Sequence, residues 1–185
     1  MRVNIDPKAV RQVFEDLKDH PAFKESKALF EAGKMPVEML QAMSLRPEIL
    51  KAFGETGIGI YPGGLLERPL KEKVILKSSQ ENQCQFCTSS HRAIMRMIGI
   101  PQLQIDQLEA PSNLTNREEL ALKYTEAMMK DSNRVSDALF TELKANFSDE
   151  EIVELTFLIG LINLLNMFNN ALQVTYRDDY TAKQV

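Results

Sequence analysis

Apolar residues recur at helical spacing along nearly the whole chain, and no segment shows the strict alternation of a half-buried β-strand. The first such segment, residues 6–19, places four apolar side chains on one side of a helix: Val10, Val13, Phe14 and Leu17. At 185 residues, the chain can bury about 70% of its unfolded surface without a disulfide or a metal. The pattern predicts an all-α fold, a single-domain helical bundle of about eight helices over residues 1–185.

Capping signals mark several helix ends. Thr115 with Glu118 and Ser148 with Glu151 have the spacing of capping boxes, in which two side chains satisfy the free N–H groups of a first turn. Gly99, followed by a proline two residues on, is typical of a helix C-terminus. These signals predict that helices begin after Thr115 and Ser148 and that one ends near Gly99.

The last helix, predicted over residues 149–174, has no charged residue from Leu155 to Tyr176 and is long enough to span a bilayer. However, it carries amide side chains that are costly in lipid without a partner: Asn163, Asn166, Asn169, Asn170 and Gln173. An acidic first turn precedes them, as in ordinary helices of soluble proteins. The sequence therefore predicts a buried helix and no membrane partner.

Charge and the N-terminus limit the partners and the compartment. The net charge is −4, and no basic stripe is interleaved with aromatic residues, so nucleic acid is excluded as an expected partner. Residues 1–7 turn polar at once and lack the apolar core of a signal peptide. These features predict a cytoplasmic protein. In that compartment paired cysteines more often serve catalysis or metal binding than structure.

Both cysteines and one of the two histidines lie in a single run, Cys84-Gln-Phe-Cys87-Thr-Ser-Ser-His91. At helical spacing the three side chains fall on one stripe, with Cys87 and His91 one turn apart. Polar residues just before Cys84 indicate that a helix begins there, and cysteines at such positions have pKa values of about 3.5–7.5 instead of about 8.5. The run predicts a redox-active dithiol with an imidazole that exchanges protons with it.

Other interpretations of this run differ in strength. A c-type haem site needs a histidine where Thr88 stands, and iron–sulfur clusters normally need four cysteines. A thioredoxin-like motif needs strands, which the pattern does not predict. A zinc site built from the three side chains and His20 or a carboxylate stays open. Buried cysteines that only fill the core stay open as well.

The run and its setting resemble the alkyl hydroperoxidase D/carboxymuconolactone decarboxylase family, in particular its peroxidase-related branch. The family pattern has a glutamate twelve positions before the first cysteine, here Glu72, and then Cys-x-x-Cys-x-x-x-His. Residues 147–155 and the segment 163–172, with its repeated asparagines, resemble the late helices of the family. The resemblance is strongest over residues 36–175.

The resemblance implies an all-helical protein that forms homo-oligomers, often trimers or hexamers. It implies that Cys87 attacks a peroxide and that Cys84 then resolves the sulfenic acid into a disulfide. Glu72, through a water, and His91 would carry the proton away from Cys87. The implied partners are a hydroperoxide substrate and a dithiol electron donor, either a lipoyl protein or a thioredoxin-like protein, and no cofactor is expected.

Glu72 can act in this way only if the chain turns back before the cysteines. On one straight helix, twelve residues would separate Glu72 from Cys84 by about 18 Å. The polar residues 80–83 are the predicted turn. The alternative for Glu72 is a solvated helix residue between Lys71 and Lys73.

One departure from the family pattern leaves the chemistry open. The peroxidases of the family carry a second histidine directly before the second cysteine, where this chain has Phe86. Two alternatives therefore stay open. One is a non-redox reaction of the decarboxylase kind, and the other is a redox-sensing or zinc-holding helical oligomer without catalysis.

Asn163, Asn166 and Asn170 form a polar seam in the last predicted helix. The seam indicates either buried amides bonded to neighbouring segments or a subunit interface.

Overall fold

The structure, a computed structural model, describes residues 1–106, 108 and 114–177, apart from the side chains of Glu25 and Lys27. These residues form ten α-helices and no β-strand, which confirms the all-α prediction. The bounds are α1 Pro7–Asp16, α2 Lys24–Glu31, α3 Glu38–Met43, α4 Pro47–Ile60, α5 Arg68–Glu81, α6 Gln85–Met97, α7 Gln102–Asp106, α8 Asn116–Asp131, α9 Asp137–Asn146 and α10 Asp149–Leu172. Short 3₁₀ helices cover Pro21–Phe23 and Ser132–Arg134.

The helix count exceeds the predicted eight because short helices escape a pattern search. The periodicity over residues 37–53 predicts one helix with a bend near Pro47. The structure has two helices there, α3 and α4, since Pro47 lacks the N–H group that would continue α3 and takes the first position of α4. The five-residue α7 is too short to show a helical period.

The described residues group into two compact units, residues 1–63 with 171–177 and residues 64–170. In the first unit, the Phe14 ring packs edge-on against Phe23 and Phe30, with ring centroids 5.5 Å apart in each case. Gly54 of α4 gives Phe23 its space, because a Cβ there would lie 2.7 Å from the Phe23 ring. The prediction of a single domain over residues 1–185 stays a prediction.

The second unit is built around α5, which packs against α6 and α8 and is buried on nearly all sides. Its three consecutive charged residues, Lys71, Glu72 and Lys73, are all buried, so the alternative of a solvated Glu72 is wrong. Burial is possible because each charge has an ionic partner: Lys71 pairs with Glu154, and Lys73 Nζ lies 2.6 Å from a Glu118 carboxylate oxygen. These pairs fix α5, and thus the position of Glu72, within the unit.

Predicted capping signals are confirmed at several helix ends. Thr115 and Glu118 form a reciprocal capping box at α8, and the Ser148 and Glu151 side chains each bond the other's backbone N–H at α10, at 3.2 and 2.9 Å. Gly99 follows α6 with a positive φ of 84°, as a helix-ending glycine does.

Within the described part of the chain, α10 alone is long and apolar enough to cross a bilayer by length and composition. The core helix of a soluble protein has the same properties, and α10 carries the fully or nearly fully buried amides Asn166 and Asn169. The prediction that α10 is such a core helix, with no membrane partner, stays a prediction.

The loop before α5 is tied to α10 through one carboxylate. Glu154 accepts the backbone N–H groups of Leu65 and Leu66 at 2.5 and 3.1 Å and also pairs with Lys71. Gly64 lies against this pair with a φ of +100°. A Cβ at Gly64 would run into the Glu154 carboxylate and lie 2.6 Å from Lys71 Nζ. The position therefore requires glycine for its backbone and for its space.

We expect Gly64→Ala to lower the free energy of unfolding by more than the roughly 1–3 kcal/mol that backbone strain alone costs. The matched control is Gly99→Ala, because Gly99 also has a positive φ but no described atom within 4 Å of an added Cβ. The free energies of unfolding of the two variants, measured by urea denaturation, separate the cost of backbone strain from the cost of the steric clash at Gly64. Equal losses in the two variants would show that the Glu154–Lys71 pair yields easily to a Cβ.

Candidate active site

The predicted turn between Glu72 and the cysteines is confirmed. Helix α5 ends at Glu81, and α6 begins at Gln85 with Cys84 as its N-cap. The reversal is made by Gln83 in a left-handed conformation, with a φ of +52°. The Cys84 N–H then bonds the Ser79 carbonyl at 2.8 Å. As a result, α5 and α6 lie side by side and their polar side chains meet.

Glu72 and His91 are in direct contact. One Glu72 carboxylate oxygen lies 2.7 Å from His91 Nδ1, and the other accepts a hydrogen bond from Arg68 Nε at 2.5 Å. Glu72 is fully buried, whereas the His91 side chain keeps 13% of its surface exposed. If Nδ1 carries the proton that Glu72 accepts, Nε2 is the basic nitrogen of a neutral imidazole. The carboxylate thus orients the histidine as a proton acceptor.

Arg68 is a site residue that the sequence analysis missed. It lies one turn before Glu72 on α5, at the i, i+4 spacing of helical ion pairs. That spacing was the available signal, but surface pairs with the same spacing occur elsewhere in this chain, for example Lys51 with Glu55. Only the complete burial of Glu72 distinguishes the Arg68–Glu72 pair from such a surface pair. A buried carboxylate needs such a partner to remain ionised.

Cys84 and Cys87 are both free thiols and both buried. The Cys87 thiol donates a hydrogen bond to the Cys84 sulfur, and this bond is the main reason why the pKa of Cys84 falls from 9.0 to about 7. Backbone N–H groups of Cys87 and Phe86, in the first turn of α6, lower the same pKa further. The same hydrogen bond between the two cysteines, followed by burial and the charge on Cys84, raises the pKa of Cys87. The pair therefore loses its first proton near neutral pH, and the resulting charge is drawn to Cys84.

Amides of α10 join the turn between α5 and α6. Asn82 Nδ2 donates to Asn163 Oδ1 at 2.9 Å, and Asn170 Nδ2 donates to the Asn82 carbonyl at the same distance. The Asn166 amide lies 3.2 Å from the Ser79 hydroxyl. The polar seam thus consists of amides bonded to a neighbouring segment, as one of the two predictions has it. A role of the seam in a subunit interface stays a prediction.

Asn169 is the second site residue that the sequence analysis missed. Its Nδ2 lies 3.2 Å from Cys87 Sγ, and the residue is 1% exposed. The sequence shows Asn169 only as one more amide in α10. Which amide reaches the sulfur depends on the rotation of α10 about its axis, which spacing alone does not give.

The structure brings all four predicted site residues into the second unit, where Glu72 meets His91 and Cys84 meets Cys87. Among the residues that the structure describes, no group of three or more His, Cys, Asp and Glu side chains has the geometry to hold a metal ion. His20, the proposed fourth zinc ligand, instead accepts the Ala22 N–H with its Nδ1 at 3.3 Å. The described geometry thus gives the zinc hypothesis no support.

Comparison with known proteins finds a family that matches the part of the chain that holds the site. Residues 47–127, which include the glutamate, both cysteines and the histidine, match the carboxymuconolactone decarboxylase family. The uncharacterized protein YnjA of Escherichia coli (strain K12) is 33% identical over 112 residues, 59% of this chain. The match spans 62% of YnjA, less than two thirds of its length.

Solved structures share the fold. ATU0492 from Agrobacterium tumefaciens, a proposed antioxidant defence protein AhpD, is 27% identical, with a TM-score of 0.69 over 75% of this chain and 97% of that protein. The debrominase Bmp8, solved with 2,3,4-tribromopyrrole as a cysteine-to-alanine variant, is 18% identical, with a TM-score of 0.77 over 97% of this chain and 93% of Bmp8. Residues 47–127 thus match the carboxymuconolactone decarboxylase family, and the chain has the AhpD-like fold, which confirms the resemblance drawn from the sequence.

Proposed function

We propose that this protein reduces organic hydroperoxides or peroxide with the Cys84–Cys87 dithiol. The observation that carries the proposal is a buried, hydrogen-bonded thiol pair followed, one turn further along the same helix, by a histidine that a buried carboxylate holds. A dithiol supplies two electrons, and an O–O bond needs two to be cleaved. The relationship to ATU0492, a proposed antioxidant defence protein, supports the same chemistry.

In the proposed reaction the Cys87 thiolate attacks one oxygen of the hydroperoxide ROOH and the O–O bond breaks. Cys87 becomes a sulfenic acid, and the alkoxide RO⁻ leaves as the alcohol after it takes up a proton. The Cys84 sulfur then attacks the sulfenic sulfur, an S–S bond forms and water leaves. The sum is ROOH plus two thiols giving ROH, water and one disulfide. His91, oriented by Glu72, accepts the Cys87 proton and returns it to the leaving oxygen.

The cycle closes when an external dithiol reduces the disulfide. A lipoyl protein or a thioredoxin-like protein has the required chemistry, because thiol–disulfide exchange regenerates both cysteines without a bound cofactor. Cytoplasmic localisation fits a reducing partner of this kind. The donor, the compartment and the absence of a cofactor are parts of the proposal.

A homo-oligomer is also part of the proposal. In the second unit α10 carries apolar side chains that the described residues leave exposed: Val153, Phe157, Leu164 and Met167. Apolar residues on one helix face are typical of interfaces between copies of a chain. Light scattering on the purified protein tests the assembly, and a monomer at all concentrations would contradict it.

The function is tested by following loss of an organic hydroperoxide with and without an excess of a small dithiol. We expect multiple turnovers with the dithiol and one turnover per chain without it. The control is the double variant Cys84→Ser/Cys87→Ser, which should consume no hydroperoxide. Equal consumption by the double variant would refute the dithiol mechanism. A lactone-decarboxylating activity that survives in that variant would instead support the non-redox alternative.

Reductive dehalogenation is a second candidate, because the fold is shared with the debrominase Bmp8 over nearly the whole chain. The same dithiol would supply its two electrons: a carbon–bromine bond becomes carbon–hydrogen, bromide leaves and the disulfide forms. Bromide release from tribromopyrrole by the reduced protein, with no hydroperoxide consumption in the parallel assay, would favour this candidate.

A further inference from the structure

The two sulfurs of the site differ in access and in charge. Cys84 is completely buried, whereas 5% of Cys87 remains exposed, so Cys87 is the cysteine that a substrate can reach. The negative charge of the reduced pair, however, is drawn to Cys84, which caps the N-terminus of α6 and accepts the Cys87 hydrogen bond. A nucleophile at Cys87 therefore needs a second influence that moves the charge toward its sulfur.

That influence comes from α10. The Asn169 amide nitrogen is 3.2 Å from Cys87 Sγ, in a place where the asparagine is almost fully buried. An N–H donor to a sulfur stabilises the thiolate more than the thiol, because a hydrogen bond to a charged acceptor is stronger than one to a neutral acceptor. Burial strengthens the preference, since water does not compete for the sulfur.

We propose that Asn169 is a catalytic residue that donates its amide hydrogen to Cys87 and thereby makes Cys87 the attacking sulfur of the dithiol. After His91 has accepted one proton from the dithiol, the Asn169 donor places the remaining proton on Cys84 and the charge on Cys87, and it only redistributes them between the two sulfurs. No atom is gained or lost in this step. The same donor then faces the oxidised sulfur of the sulfenic acid. The inference rests on the proposed function, in which Cys87 is the nucleophile.

Cys87 has a small set of titratable neighbours on the helices that meet at the site. Cys84 and His91 lie on its own helix, and Glu72 lies on the adjacent α5. From α10 the amides of Asn169 and Asn166 both contact Cys87 and lower its pKa, and neither amide titrates. A change of Asn169 to another neutral side chain therefore leaves the charged groups of the site in place. Any change in the Cys87 pKa then reports the loss of the amide donor.

The test is a titration of Cys87 in a Cys84→Ala background, followed by the ultraviolet absorbance of the thiolate and by the rate of iodoacetamide alkylation against pH. We expect Asn169→Leu, which is similar in size but cannot donate, to raise the pKa of Cys87 by about one pH unit or more. The sign follows from the lost donor, since the thiolate loses stabilisation and forms only at higher pH. Asn169→Asp should raise the pKa further, because a carboxylate repels the thiolate.

The matched control is Asn170→Leu, since Asn170 is an amide on the same helix that bonds the Asn82 carbonyl and not a sulfur. It should leave the Cys87 titration unchanged. An unchanged pKa in folded Asn169→Leu, or a pKa lowered in Asn169→Asp, would overturn the proposal. If the leucine variant does not fold, Asn169→Ala takes its place, and an unchanged Cys87 pKa in that variant would equally overturn the proposal. The titration uses no hydroperoxide, so its result does not depend on whether the protein reduces peroxides.

Discussion

Cys87→Ser is expected to reduce hydroperoxide turnover by at least about a thousandfold. A serine hydroxyl is not ionised near neutral pH and cannot form the sulfenic acid through which the O–O bond is cleaved. The loss should appear in the turnover number with any hydroperoxide and any dithiol donor. Circular dichroism should show an intact fold, because serine differs from cysteine only by an oxygen atom in place of the sulfur.

Cys84→Ser is the matched variant, and its expected outcome is different. Cys87 still attacks once, so one equivalent of hydroperoxide is consumed, but no internal disulfide forms. The protein should gain one oxygen atom in mass or form a mixed disulfide with the donor. Full multiple turnover in Cys84→Ser would mean that another group resolves Cys87. Full activity in Cys87→Ser would remove Cys87 from the mechanism.

Glu72→Gln is expected to lower the turnover number by about 10²–10⁴-fold, the range in which general acid–base groups contribute. The substitution keeps the shape of the side chain but removes the charge that His91 Nδ1 and Arg68 Nε contact. His91 then loses the carboxylate that orients its ring. Single-turnover kinetics with a fixed hydroperoxide concentration measure the step directly.

The control for Glu72→Gln is Glu118→Gln. This variant also removes a carboxylate that contacts α5, because a Glu118 carboxylate oxygen lies 2.6 Å from Nζ of the buried Lys73. We expect Glu118→Gln to lower the free energy of unfolding and to leave the single-turnover rate nearly unchanged. Equal rate losses in both variants would indicate a general effect of destabilising α5. A wild-type rate in Glu72→Gln would exclude Glu72 from proton transfer.

Local signals in the sequence are sufficient for the helices and for the core of the site. Thr115 with Glu118 is confirmed as a capping box because capping depends on residues only three positions apart. The spacing of Cys84 and Cys87 likewise fixes their contact, since both lie in the first turn of one helix. Glu72 was found through the family pattern, and its contact with His91 depends on a turn that polar residues permit but do not determine.

Other features depend on packing that the sequence does not display. Lys71 and Lys73 look like surface residues, yet both are buried, because their partners come from α10 and α8, far along the chain. Asn169 is indistinguishable in sequence from Asn170, although one contacts a cysteine and the other a backbone carbonyl. Helix rotation decides between the two roles, and it is set by the whole apolar core.

The most direct test of the account is the intact mass and free-thiol count of the reduced protein before and after one equivalent of an organic hydroperoxide. The account predicts rapid loss of both thiols and a mass lower by two hydrogen atoms, as an internal Cys84–Cys87 disulfide requires. Thiols that stay reduced, with the hydroperoxide unconsumed, would contradict the central claim that this dithiol reduces peroxides.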